Sequence, residues 1–324
     1  MIPTDLLRNV TDVYVHRASL QDACSDGRAT GYILHDALPT VNVHEVAYSS
    51  RAHRNIVPRK GLLFGDLSPH RSQIEALKNC DPIILDHHKS AADILASFPH
   101  SVYADETKEL GVSGAVLAFT EVWLPIRGVK RCERCRHWKL WQSCTCPPFK
   151  AMRELATLVG IRDTWQKDHP RFKEAGDLCE FLVFAPLSTL FQMTPQEVLA
   201  RGREMGPLLR ARVIDEAKRA VETGTHLESG GHKLLLFSNT HLSSDASTFA
   251  PEDTITCGYD MVHDGEEMRI QFSLRSRNGL NLIPVVQKFG GGGHKAAAGF
   301  SVEVTLNWYR DPVSILRGAF ANVP

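Results

Sequence analysis

The sequence predicts an α/β protein with an N-terminal domain on a parallel sheet and a smaller C-terminal α/β domain. Three observations carry that expectation. Short apolar runs alternate with helical segments through the first third, the pattern of a parallel sheet covered on both faces. Two of those runs end on a carboxylate, Asp66 and Asp86. A long helical stretch and a Gly-rich segment then separate this region from a strand-rich tail.

The elements follow in order. Val13 to His16 reads as the first strand and Ala29 to Leu38 as the helix after it. Val43 to Tyr48 is the second strand, Leu62 to Asp66 the third, and Pro82 to Asp86 the fourth, with a helix from Ser72 to Lys78 between the last two. Ser113 to Trp123 has helical composition, and residues 151 to 192 are helical and irregular. Thr194-Pro195-Gln196-Glu197 is a helix start: a Thr cap, Pro at the first position and Glu at the third. That helix runs to Glu222, with Gly224 as its stop, and residues 223 to 232 read as a linker. From Lys233 the chain offers strands, a Gly-rich loop leading into a small-residue helix, and an apolar helix. The expected domains are 1–192, a connecting helix and linker at 193–232, and 233–324.

Composition sets limits. A chain of 324 residues with 43% hydrophobic and 23% charged residues suits two globular domains. No apolar run approaches the length that spans a bilayer, and the start lacks the basic-then-apolar pattern of a signal peptide, so the expected location is cytoplasmic with no membrane partner. Lys plus Arg number 37 and Asp plus Glu 37. Zero net charge argues against a life on long duplex DNA and leans toward short oligonucleotides or nucleotides.

Eight cysteines divide into a cluster and four scattered residues. Cys132, Cys135, Cys144 and Cys146 can complete a tetrahedral zinc site, with His137 able to replace one of them. The segment around them, 127–153, is basic and carries Trp138 and Trp141. Those rings either stack on the bases of a single strand or pack the zinc knob onto the first domain.

The chemistry gathers at strand ends. His16, Asp66 and Asp86-His87-His88 each close an apolar strand, and ligands of open α/β sheets bind beyond the carboxyl ends of strands. Asp26-Gly27 follows the first strand and precedes a helix, and Asp105 lies shortly before Ser113-Gly114-Ala115 opens another. Carboxylates mixed with imidazole hold a divalent ion; carboxylates favour Mg²⁺ and Mn²⁺, and imidazole shifts the balance toward Mn²⁺, Fe²⁺ or Zn²⁺.

The order of these motifs resembles the DHH phosphoesterases, named for Asp86-His87-His88. Phe289 to Phe300, with its run Gly290-Gly291-Gly292-Gly293-His294, and Ser273-Leu274-Arg275-Ser276 are similar to the hallmarks of the domain that accompanies that family. The resemblance implies a metal held by Asp26, Asp66, His87 and Asp105, with Asp66 bridging to a second ion held partly by His16. It implies that Asp86 orients His87, that His88 faces the substrate phosphate, and that Arg275, Ser276 and the Gly291-Gly292-Gly293-His294 segment grip phosphates or a terminal nucleotide. His294 and Arg275 would serve where negative charge develops. The expected cofactors are one or two Mn²⁺ or Mg²⁺ ions and a structural Zn²⁺. The first motif departs from the family pattern, because Cys24 stands where its first Asp is expected. Either Cys24 is a ligand, or Asp22 swings in, or the second site is weak, or Cys24 is a small packing residue.

The expected function is metal-dependent hydrolysis of phosphodiester bonds in short or single-stranded oligonucleotides, of the exonuclease type. The same resemblance allows a small-nucleotide phosphatase or a cyclic-dinucleotide phosphodiesterase. The altered first motif motivates a reading of another class, a nucleic-acid-binding protein without turnover.

Overall fold

The computed structural model describes residues 2–18, 23–104, 111–129, 149–265, 267–304 and 311–321. Asp22, Asp105, Trp138, Trp141, His137 and the four clustered cysteines lie outside them, and the zinc insert with them. The chain forms two compact units that divide within one long helix, after Arg210.

The first unit is built on five parallel strands: β1 (Asp12–Arg17), β2 (Asn42–Ala47), β3 (Leu62–Gly65), β4 (Ile83–Asp86) and β5 (Ser101–Tyr103). Their order is β2-β1-β3-β4-β5. The connections reverse direction between β1 and β3, which opens a crevice beyond the carboxyl ends of those two strands.

Side-chain alternation explains why both faces are covered. Val13, Val15, Leu63, Ile83 and Leu85 enter the larger core. Helices Ser25–Ala37, Lys150–Asp163 and Phe172–Phe184 contribute to the same core. Leu62, Phe64 and Ile84 point the other way, onto Leu77, Ile94, Leu95 and Phe98.

The helix after β1 starts at Ser25, four residues before the sequence suggests. Cys24 is its N-cap, with Sγ accepting from the Gly27 N–H at 3.5 Å. Asp26 therefore sits inside the first turn and not ahead of the helix. Gly27 makes this entry possible, because a Cβ there would lie 1.9 Å from the carbonyl oxygen of His16.

The long helix Pro195–Thr223 opens as expected. Glu197 Oε2 accepts from the Thr194 N–H and hydroxyl at 2.7 and 2.8 Å, closing the capping box. Its second half, with Val213 and Ala217, belongs to the second unit.

That unit carries β6 (Thr225–Ser229), β7 (His232–Ser238), β8 (Thr254–Asp264), β9 (Glu267–Arg275), β10 (Gly292–His294) and β11 (Ala297–Glu303). Their order is β10-β11-β9-β8-β7-β6, antiparallel except where β7 meets β8. Two expectations change here. The segment 225–229, expected as linker, is a strand paired with β7 across a turn in which Gly230 and Gly231 take positive φ. The small residues after His294 form β11, not a helix, because β9 pairs with them from Arg275↔Ala297 onward. One sheet face packs on helices Ile283–Gln287 and Pro312–Phe320 through Val285, Leu316 and Phe320. The other packs on helix Ser243–Phe249 and the second half of the long helix.

Candidate metal centre

Asp66 is the hub of the cluster. It follows β3 directly, adopts a left-handed backbone with φ +57, and is 1% exposed. That conformation aims its carboxylate back over the strand ends. Oδ1 lies 3.1 Å from His87 Nε2 and 3.8 Å from His88 Nδ1. Oδ2 lies 3.6 Å from His16 Nδ1 and 3.8 Å from Cys24 Sγ. Asp66 thus divides its oxygens between two sets of donors.

Asp26 is held from the opposite side. The N–H groups of Gly114 and Ala115, at the start of helix Gly114–Leu117, donate to its two oxygens at 2.7 and 2.8 Å. A carboxylate at a helix N-terminus satisfies orphan donors and gains from the local dipole. Fixed in this way, Asp26 Oδ2 lies 3.5 Å from His87 Nε2.

Asp86 ends β4 and orients His88. Its Oδ1 accepts from the His88 backbone N–H at 2.9 Å and from ring Nδ1 at 2.7 Å, while Oδ2 accepts from Ser68 Oγ at 2.5 Å. The resemblance implied that Asp86 orients His87; here both of its oxygens are engaged elsewhere. Asp86 thus fixes both the backbone and the ring of His88.

Asp163 is the residue that the sequence reading missed. It ends helix Lys150–Asp163, and its Oδ2 lies 3.5 Å from His87 Nε2. Three carboxylates thus converge on one imidazole nitrogen: Asp26, Asp66 and Asp163. One sign was available. An acidic residue in the last turn of a helix opposes the dipole, so it invites a reason for being there.

The electrostatics follow from the crowding. Burial would lower the two imidazoles, yet the surrounding carboxylates hold His87 well above its ordinary value and push His88 up to about 9. Burial would raise Asp66, but His16 and His87 hold it well below the usual range. Burial and the charge of Asp66 push Asp26 up, and desolvation with Asp26 beside it pushes Asp163 up. Burial and the carboxylates of Asp66, Asp26 and Asp163 keep the Cys24 thiol protonated.

The donors fit a divalent ion. His16, Asp66 and His88 form one group of possible ligands, and Asp26, Asp66 and His87 a second, with ligand atoms in each within 4.8 Å of one another. Among the described residues His16 Nδ1 is buried and has no hydrogen-bond partner, as expected of a ring nitrogen kept for a cation.

The other expected site residues lie in the second unit. Arg275 closes β9 and is held by Ser244 Oγ, Ser273 Oγ and the Leu274 carbonyl at 3.0, 3.0 and 2.9 Å. Ser276 is buried and donates to Asn278 Oδ1 at 2.8 Å. Gly292, Gly293 and His294 form the edge strand β10, opposite Gly299, Ala298 and Ala297. Gly291 lies so close to β11 that a Cβ would meet the Gly299 carbonyl oxygen at 2.2 Å.

Residues 252–308 match the DHHA1 domain, so the second unit carries that DHH-associated domain. No curated protein is similar enough to match the chain. Among solved structures, the chain is similar to the pGpG-specific phosphodiesterase PggH from Vibrio cholerae at 13% identity and TM-score 0.35, covering 91% of this chain and 94% of that one. It is similar to an uncharacterized protein from Helicobacter pylori G27 at 13% identity and TM-score 0.26, covering 97% and 99%. It is also similar to CDC45 from Entamoeba histolytica at 9% identity and TM-score 0.45, covering 98% and 97%.

Proposed function

We propose that this chain, which carries a DHHA1 domain after an α/β unit with a carboxylate–imidazole cluster, is a divalent-metal-dependent phosphodiesterase of short or single-stranded oligonucleotides. The observation that carries the reading is the divided carboxylate of Asp66, with Oδ1 toward His87 and Oδ2 toward His16. Asp26, Asp66, His87 and Asp163 would hold one cation, and Asp66 with His16 a second. Bound there, a divalent cation supplies a Lewis acid for a phosphoryl oxygen and acidifies water toward neutrality.

The chain's own groups do the rest. Asp26 is fixed by two backbone N–H groups and needs little rearrangement to accept a cation. Asp86 locks the His88 ring through Nδ1 and the backbone, an orientation that suits the ring to a substrate phosphate. Within the second unit, Arg275, oriented by Ser244 and Ser273, would present its charge to a phosphate. Balanced overall charge favours short substrates, and it suits a dinucleotide or a cyclic dinucleotide equally.

The test is a time course with Mn²⁺ on a 5′-labelled single-stranded oligomer and on a dinucleotide. A ladder of products identifies an exonuclease and gives its direction. Cleavage of the dinucleotide alone narrows the substrate to the shortest fragments. Removing groups that only orient metal ligands costs about 10–100-fold, so Asp66→Asn and Asp163→Asn should each cost more. No cleavage of either substrate, with Mn²⁺ bound, would overturn the reading.

A further inference from the structure

We propose that Trp165 is a stacking surface for one nucleobase of the substrate whose phosphate lies at the strand-end cluster. The inference rests on reading that cluster as a phosphodiesterase centre.

The backbone supplies the first observation. Helix Lys150–Asp163 ends in a doubly bonded turn: the Gln166 N–H donates to the Ile161 carbonyl at 3.0 Å, and the Trp165 N–H to the Arg162 carbonyl at 3.1 Å. This closure puts the residue just past the cap in the left-handed region, where glycine is the usual choice. Here it is Trp165, at φ +55. A bulky side chain held there costs stability, and closing the turn needs no ring, so strain of this kind points to function.

The ring's neighbours supply the second. Trp165 is half-buried and stands outside the apolar core against which Phe172 packs. Arg162, whose Nη1 is buried, brings its guanidinium carbon to 4.1 Å from the ring centroid, and Phe172 meets the ring edge-on at 5.5 Å. These two contacts fix the ring, so it has little freedom to lose on binding. Lys167 is exposed and places Nζ over the same ring at 5.2 Å. A flat aromatic flanked by cations is the combination that takes single-stranded nucleic acid, with bases on the ring and phosphates on the charges. An exposed lysine holds a ring weakly, so a base displaces it and the ammonium turns to a phosphate. The position fits as well. Asp163, two residues before, has its Oδ2 3.5 Å from His87 Nε2. Two residues of chain span at most about 7 Å, comparable with the reach from a nucleotide's phosphate to its base. One helix end would thus set both an acid of the cluster and the platform for the base beside it.

The test uses the full chain in Ca²⁺ with an adenine dinucleotide and the two counterparts that each lack one base. Calorimetry gives the loss of affinity when a base is removed. For one of the two bases that loss should be smaller in Trp165→Leu than in the wild type by about 5- to 100-fold, the range of a base stacked on an aromatic ring. Trp165→Phe, which keeps a ring, should restore most of the difference. Equal losses in wild type and Trp165→Leu at both bases would overturn the inference, even if the variant binds every probe more weakly. In the wild type, irradiating a bound iodouracil dinucleotide should leave an adduct on Trp165, located by peptide mass spectrometry; adducts only elsewhere would overturn it even if the variants fail to fold. A chain in which Trp165 senses the base but which cleaves no phosphodiester in Mn²⁺ keeps this inference and loses the proposed function. Cleavage with no such dependence on Trp165 does the reverse.

Discussion

Gly114 owes its identity to Asp66. A Cβ at position 114 would stand 2.4 Å from Asp66 Cβ and 2.9 Å from Thr30 Oγ1. Both neighbours are buried, and Asp66 is held by its left-handed backbone, so neither yields cheaply. Gly114→Ala should cost about 1–3 kcal/mol of stability, as overpacking does. It should also weaken Mn²⁺ binding, because the carboxylate is the group displaced. Thermal unfolding and calorimetric titration of one preparation read both effects, and wild-type affinity would break the link. His53 gives a pH dependence. It is fully buried, and Nε2–H donates to the Ser68 carbonyl at 2.8 Å. Burial lowers its pKa from 6.5 to about 4. The unfolded chain therefore binds the extra proton between those values, and stability falls as pH drops through that window. The contribution is complete above pH 6.5, flat below about 4, and on the order of 3 kcal/mol. His53→Gln should remove that part of the slope from urea midpoints measured between pH 7 and 4; an unaltered slope would show that His53 is not its source.

At the scale of elements, Arg28 joins three of them. It lies on helix Ser25–Ala37, and its Nε donates to Glu45 of β2 at 2.8 Å. Its Nη1 reaches the carbonyls of Leu182, Val183 and Ala185 at 3.1, 2.6 and 2.6 Å, where helix Phe172–Phe184 ends. Those carbonyls have no partner within the helix, and a cation there also suits the dipole. Arg28→Met leaves Glu45 and the carbonyls half-buried, and should cost about 2–4 kcal/mol in a urea melt; a loss below about 0.5 kcal/mol would mean that the helix end is satisfied otherwise. The strands that carry the cluster were legible because burial on both faces leaves a continuous apolar run ending abruptly in Asp66 or Asp86. The hairpin of β6 and β7 was not, because Gly230-Gly231 and its polar neighbours look like a linker until the pairing with β7 is known. Nor was β11, whose Ala297 and Ala298 favour a helix and take their extended form from β9.

At the scale of the whole molecule, the two-unit α/β plan was visible in the alternation of runs and in the single capped helix near the middle. His16, Asp26, Asp66, Asp86, His87 and His88 were visible because each stands at a boundary that the pattern marks. Asp163 was not, because its role depends only on where a helix end lands once the core of Leu155, Leu158 and Val159 has packed. The cluster also bears on how the molecule is made. Its groups come from the ends of β1, β3 and β4 and from two helices, the last of them finishing at Asp163. A nascent chain short of that residue has only part of the cluster. A cation of the proposed kind would find its full ligand set only once helix Lys150–Asp163 is in place.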